Sequence, residues 1–204
     1  MSTYKDLQDK INLDYLNQMT LIPETKRAIA SAIRCYEGRR FWFNETATSV
    51  ALVASQGYLA IPSDFLFLDR LEVTANGSSL PLRRTNFNAI QAMNINNTVG
   101  QPTDYAYRGD RFVIGMIPNS AYAATIFYVH SLPVLSADTD TNAWTNEAFN
   151  LIAHAATFDL MTGVMQVSDP RKINHHARAI ELALSDLHMR NENRFSNRII
   201  PTYF

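Results

Sequence analysis

"GQPTDYAYRGDRFVIGMIPNSAYAATIFYVH" runs from Gly100 to His130. Apolar and aromatic residues come in short runs here, and turn formers interrupt them. "TDYAYR" and "RFVIGMI" read as strands joined by Gly109–Asp110, and "YAATIFYVH" as a third strand reached through "PNSA". The stretch predicts a meander of three antiparallel strands. Arg108-Gly109-Asp110 is the tripeptide of cell-adhesion signals, but here it falls at a hairpin tip. Gly followed by Asp suits such a turn on backbone grounds alone.

Upstream the period of two continues. "FLFLDRLEVT" (65–74) is the strongest strand signal in the chain. Asn76–Gly77 follows it, and both residues tolerate the positive φ of a two-residue hairpin. "SSLPLRR" (78–84) is the return strand, placed at a sheet edge because Pro81 donates no hydrogen bond. "YLAIP" (58–62) is a short strand, and "FWFNETATSVALV" from Phe41 reads as one strand or a bent pair. "NFNAIQAM" (86–93) reads as one or two helical turns.

On both sides of this β region the period is helical. Residues 3–17 carry Thr3 and Asp6 at capping-box spacing, then Tyr4, Leu7, Ile11 and Tyr15 on one face. A second helix starts at Pro23, with Ile29, Ile33 and Tyr36 as its stripe, and ends near Gly38. A third is expected from Ala143 to Val164 and should be the most buried, because its apolar residues cover more than one stripe. Asp169–Pro170 opens a fourth, with Ile173, Ala177, Ile180, Leu184 and Leu187 facing inward, ending near Asn193. The predicted fold is therefore α+β. A bundle of about four helices (1–40 and 134–193) carries a mostly antiparallel β insertion (41–133) between its second and third helices, and an extended tail (194–204) follows.

The chain has 204 residues, 47% hydrophobic and 18% charged, the balance of a globular protein with one sizeable core or two small ones. A net charge of −1 gives the whole molecule no pull on nucleic acid or anionic membrane. The first residues read as helix rather than signal peptide, and no apolar run is long enough to span a bilayer. Charge is uneven: residues 136–170 hold five acids and no Lys or Arg, whereas 171–198 hold six bases and three acids. These segments suit packing against each other, against a second copy, or as solvated helix faces.

No chemistry stands out. Cys35 is the single cysteine, which excludes an internal disulfide, and its place near Ile33 and Tyr36 suits a buried thiol. No nucleophile elbow and no glycine-rich phosphate loop occurs. "DTDTNAWTNEAF" begins like a calcium loop, but Ala143 and Phe149 stand where Gly and an acid are required. His175 and His176 are adjacent and point about 100° apart on a helix, so they do not share an ion. "RRFWF" (39–43) has the composition of a base-stacking patch, and equally of a helix end running into a buried strand. Catalytic, metal and cofactor residues are therefore expected to be none. The tail is different: Phe195, Ile199, Ile200, Tyr203 and Phe204 need a surface to dock on, with Arg194 and Arg198 as charge anchors.

"RRFWFNE" (39–45), "IPSDFLFLDRLEVTANGSSLPL" (61–82) and the stretch from Gly100 to Ile152 resemble head-to-tail adaptor (connector) proteins of short-tailed bacteriophages. The resemblance implies a structural virion protein at the head–tail junction, assembled in the host cytoplasm. It implies a ring of copies, typically a dodecamer, beneath the portal protein. Genomic DNA would pass through the lumen without sequence-specific binding, and no membrane is involved. It further implies portal binding by the C-terminal residues Arg194, Phe195, Arg198, Ile199, Ile200, Tyr203 and Phe204. Tail or nozzle proteins would dock on the insertion tips, Asn76–Gly77 and Arg108–Gly109–Asp110. A virion-associated cell-wall hydrolase and another tail or neck subunit are the competing readings.

Overall fold

The computed structural model describes all residues except 19, 96–97 and 197–204, and describes the backbone but not the side chains of Phe195 and Ser196. The fold is α+β. In chain order the helical part begins with α1 (Tyr4–Asp9) and α2 (Ile22–Glu37). Strands β1 (Glu45–Leu52), β2 (Tyr58–Ala60), β3 (Phe65–Ala75), β4 (Ser78–Pro81) and β5 (Arg83–Arg84) follow. Then come α3 (Phe87–Asn94), β6 (Val99–Gly100), β7 (Asp104–Arg108), β8 (Arg111–Gly115), β9 (Ile117–Pro118) and β10 (Tyr122–His130). The chain closes with α4 (Ala143–Asn146), α5 (Phe149–Asp159) and α6 (Pro170–Ser196). These elements form two compact units, residues 1–44 with the chain from Leu132 onward, and Glu45–Ser131.

In the helical unit, α1 starts as its sequence requires. The Thr3 hydroxyl accepts from Asp6 N–H at 3.1 Å, and Asp6 Oδ2 accepts from Thr3 N–H at 2.7 Å. The helix then widens into π-helical turns over Lys10–Tyr15, and α5 does the same over Leu160–Val164. Leu7, Ile11, Ile29, Ile152 and Trp144 are buried in one core, which Leu187 of α6 also enters. The helix expected over Ala143–Val164 is broken in two. Asn142 caps α4 by accepting from Trp144 N–H (2.9 Å), and the chain turns at Ala148 before α5.

Further expectations need correction. The strand expected from Phe41 begins only at Glu45. Phe41 is fully buried in the helical core, where Asn44 folds the chain back: its side chain accepts from Phe41 N–H at 2.8 Å and donates to Arg39 C=O at 2.8 Å. The aromatic run therefore packs as a cluster, with Phe43 5.2 Å from both Phe41 and Trp144. Cys35 is exposed, because it stands off the Ile29–Ala32–Tyr36 stripe of α2. The predicted meander is the last of them.

In the β unit, β7 and β8 do form the antiparallel hairpin around Gly109–Asp110, with Arg108 opposite Arg111. Gly109 has φ 59°, as the first central position of a II′ turn requires. The next strand does not pair with β8. The backbone turns left-handed at Met116 (φ 61°), β9 pairs in parallel with β6, and β10 crosses to the other sheet between β1 and β3. The sheets have orders β1-β10-β3-β4 and β2-β8-β7-β5. They share a core of Leu71, Val73, Phe112, Ile114 and Ile126. Asn76 (φ 52°) and Gly77 (φ 78°) make the β3–β4 hairpin, and β4, with Pro81 at its end, is a sheet edge. "SSLPLRR" divides at Leu82, a core residue, so that Arg83–Arg84 join the second sheet as β5.

Candidate docking surfaces

The Arg108–Gly109–Asp110 turn forms one wall of a groove of about 1050 Å³ within the β unit. The opposite wall is α3. Asn86 starts that helix by accepting from Ala89 N–H at 2.8 Å. Asn94 pins its other end to the sheet, donating to Ile114 C=O (2.9 Å) and accepting from Met116 N–H (3.1 Å). Ile90, fully buried, anchors the helix, and Gly115 leaves room for it: a Cβ there would lie 2.7 Å from Ile90 Cδ1. Ile95 and Tyr58 line the groove yet stay 78% and 44% exposed.

Charge in the groove comes from the turn alone. The Arg108 guanidinium lies 4.1 Å from the Phe87 ring centroid, and that of Arg111 lies 5.0 Å from Tyr58. Arg111 also donates to Asp110 (3.1 Å), and this hydrogen bond holds the Asp110 carboxyl below the usual carboxylate range. Of the expected site residues, Arg108, Gly109 and Asp110 are thus brought together. Asn76 and Gly77 close a hairpin of the other sheet and do not line this groove. The α3 wall and Tyr58 escaped the sequence reading. The helical turns at 86–93 were legible, but their partner was not.

The helical unit holds a second surface. The guanidinium groups of Arg190 and Arg194 both lie over Trp42, 4.7 and 4.8 Å from its ring centroid. Glu147 accepts from Arg190, and Asp186 lies 3.8 Å from it. The sequence ends the last helix near Asn193, whereas α6 continues through Ser196, so Arg194 stands on the helix. The side chain of Phe195, and all of Arg198, Ile199, Ile200, Tyr203 and Phe204, lie outside the described residues.

The histidines are less scattered than their numbering suggests. His154 Nδ1 of α5 lies 2.9 Å from His176 Nδ1 of α6, and Tyr15 stacks on His154 with its hydroxyl 3.3 Å from Nε2. Burial is the largest cause that lowers both imidazole pKa values, and in His176 it takes the value to about 4, with His154 and His175 adding to the effect. Asp138 and Asp140, the start of the rejected calcium pattern, have structural roles. Asp138 pairs with Lys26 (3.2 Å), and Asp140 accepts from Ser136 and Ala137 N–H at 2.8 Å each. Among the described residues no group of three His, Cys, Asp or Glu is placed to hold a metal ion. No helix among them is long and apolar enough to cross a membrane.

No curated protein matches the chain. A family match does exist, and it covers residues 2–202, described as the SU10 adaptor protein. It spans all three stretches that carry the resemblance to phage head-to-tail adaptors, as well as both groups of helices. The chain belongs to the SU10 adaptor protein family, and is a bacteriophage structural adaptor.

Proposed function

We propose that this adaptor forms a ring, typically of twelve copies by family resemblance, beneath the portal of a short-tailed phage. The ring extends the DNA channel and gives tail or nozzle proteins a platform. The helical unit, as a bundle of about four helices, builds the ring wall. The C-terminal residues Arg194, Phe195, Arg198, Ile199, Ile200, Tyr203 and Phe204 clasp the portal. The turns at Asn76–Gly77 and Arg108–Gly109–Asp110 receive the tail proteins. The observation that carries this reading is the family match across nearly the whole chain. The apolar composition of the last residues supports the clasp, since a docked segment adds its ordering cost only when its partner is present.

The test is a chain ending at Ser196. Native mass spectrometry with purified portal rings should show the full chain bound and the shortened chain free. Circular dichroism should give both the same melting temperature. Undiminished portal binding by the shortened chain would refute the clasp.

A further inference from the structure

We infer that the groove between α3 and the β7–β8 turn receives an acidic peptide segment of a tail protein, with an apolar side chain seated between Ile95 and Tyr58 and a carboxylate on Arg108. This rests on the reading of the turn as a tail-docking tip, and names the chemistry of what docks there.

Three observations carry it. The first is charge. The groove is lined by three charged residues, Arg108, Asp110 and Arg111. Asp110 is engaged by Arg111 at 3.1 Å, so Arg108 supplies the uncompensated positive charge. A partner that complements this rim brings a carboxylate.

The second is preorganisation. Phe87 backs the Arg108 guanidinium at 4.1 Å, which limits where that charge can sit, and a guanidinium offers a carboxylate paired N–H donors. Asn94 holds α3 against the sheet at both of its hydrogen bonds, so the groove is present before anything enters it. Next to the charge stand Ile95 and Tyr58, large apolar surfaces that the rest of the unit leaves exposed to water.

The third is the choice of cation. Residues 45–131 contain five arginines and no lysine. Four of the five, Arg70, Arg84, Arg108 and Arg111, lie over an aromatic ring at 4.1 to 5.1 Å. Protein interfaces are enriched in Arg and aromatic residues and depleted in Lys. A nucleic-acid backbone needs several clustered cations, whereas this groove offers two, one of them already paired to an acid.

The experiment uses the full chain and overlapping synthetic peptides that cover the tail proteins of the same particle. Binding is read by fluorescence anisotropy at low and high salt. The peptides that bind should pair an acid with a nearby aliphatic or aromatic residue, and salt should weaken them. Arg108→Glu should cost about tenfold in affinity, the loss of one partly exposed ion pair. Ile95→Asp should cost as much without altering the fold, since its side chain is mostly in water. Replacing the peptide's acid by Lys should restore binding to the Arg108→Glu variant. Indifference to both substitutions would overturn the inference, as would a preference for basic peptides. Tighter binding of peptides from this chain itself, or of a duplex oligonucleotide lost with Arg108→Glu, would overturn it in favour of a second copy or of DNA. Ring formation with the portal is measured on the same variants. Intact rings with no peptide bound sink this inference alone, and a wild-type chain that joins no portal ring sinks the adaptor geometry beneath it.

Discussion

His176 shows how a single residue takes its chemistry from neighbours far away in sequence. It is 4% exposed, and it faces His154 of α5, Tyr15 of the π-helical turns after α1, and His175 of its own helix, while Lys10 acts on His154. The pair has room for one proton between its Nδ1 atoms, and burial, reinforced by the neighbouring imidazoles, disfavours the charged form of His176. The folded state therefore binds fewer protons than the unfolded chain between the ordinary pKa of 6.5 and about 4. The stability is present above pH 6.5 and is lost as pH falls toward 4, up to about 3 kcal/mol if the shift is fully expressed. Melting temperature should drop between pH 7 and pH 5, and His176→Phe should flatten that drop. Phe41 makes a simpler case. It is fully buried among Phe43, Trp144 and His188. Phe41→Ala should cost about 3–5 kcal/mol in urea unfolding, because the aromatic cluster cannot close over the space.

At the scale of elements, α3 is the piece whose position matters most for docking. Its eight residues are too few to hold a helix in water, so its form depends on what it packs against. Asn94 supplies two of those ties and Ile90 the apolar one. Asn94→Ala leaves Ile114 C=O and Met116 N–H without this partner and should cost about 1–3 kcal/mol. Hydrogen exchange should show the α3 amides opening while those of β3 and β10 stay protected. Equal protection of α3 in both proteins would remove Asn94 from this role. The strand edges also differ in kind. β4 carries Pro81 and β2 has three residues, whereas β1 presents eight residues in unbroken register with β10 and, among the described residues, stands at the edge of its sheet.

At the scale of the whole molecule, part of the uneven charge is satisfied within the chain. Glu147 of the acidic stretch meets Arg190 of the basic one, and Arg190 and Arg194 then share Trp42. The ring proposed above needs a contact between two different faces of neighbouring copies, and such a contact closes only at one rotation. Native mass spectra of the portal-bound assembly should therefore give one stoichiometry in units of the 23.1 kDa chain. A ladder of masses would mean an open chain of contacts.

The helices were legible because their signals are local. Thr3 with Asp6, Asn142, and Asp169 before Pro170 cap where they stand, and the three-four spacing of apolar residues marks the buried faces. The Asn76–Gly77 and Gly109–Asp110 turns were legible for the same reason, since positive φ is a property of one residue. Partner choice was not legible. Nothing within "RFVIGMIPNSAYAATIFYVH" says that β10 abandons β8 for β1 and β3, because strand pairing is decided by which apolar faces must share a core. "RRFWF" alternates like a strand, yet packing against Trp144 draws it into the helical core. The adaptor resemblance could be drawn from the residues themselves. The groove, the Trp42 platform and the histidine pair exist only once distant segments meet, because each is made of groups that interact through space and not along the chain.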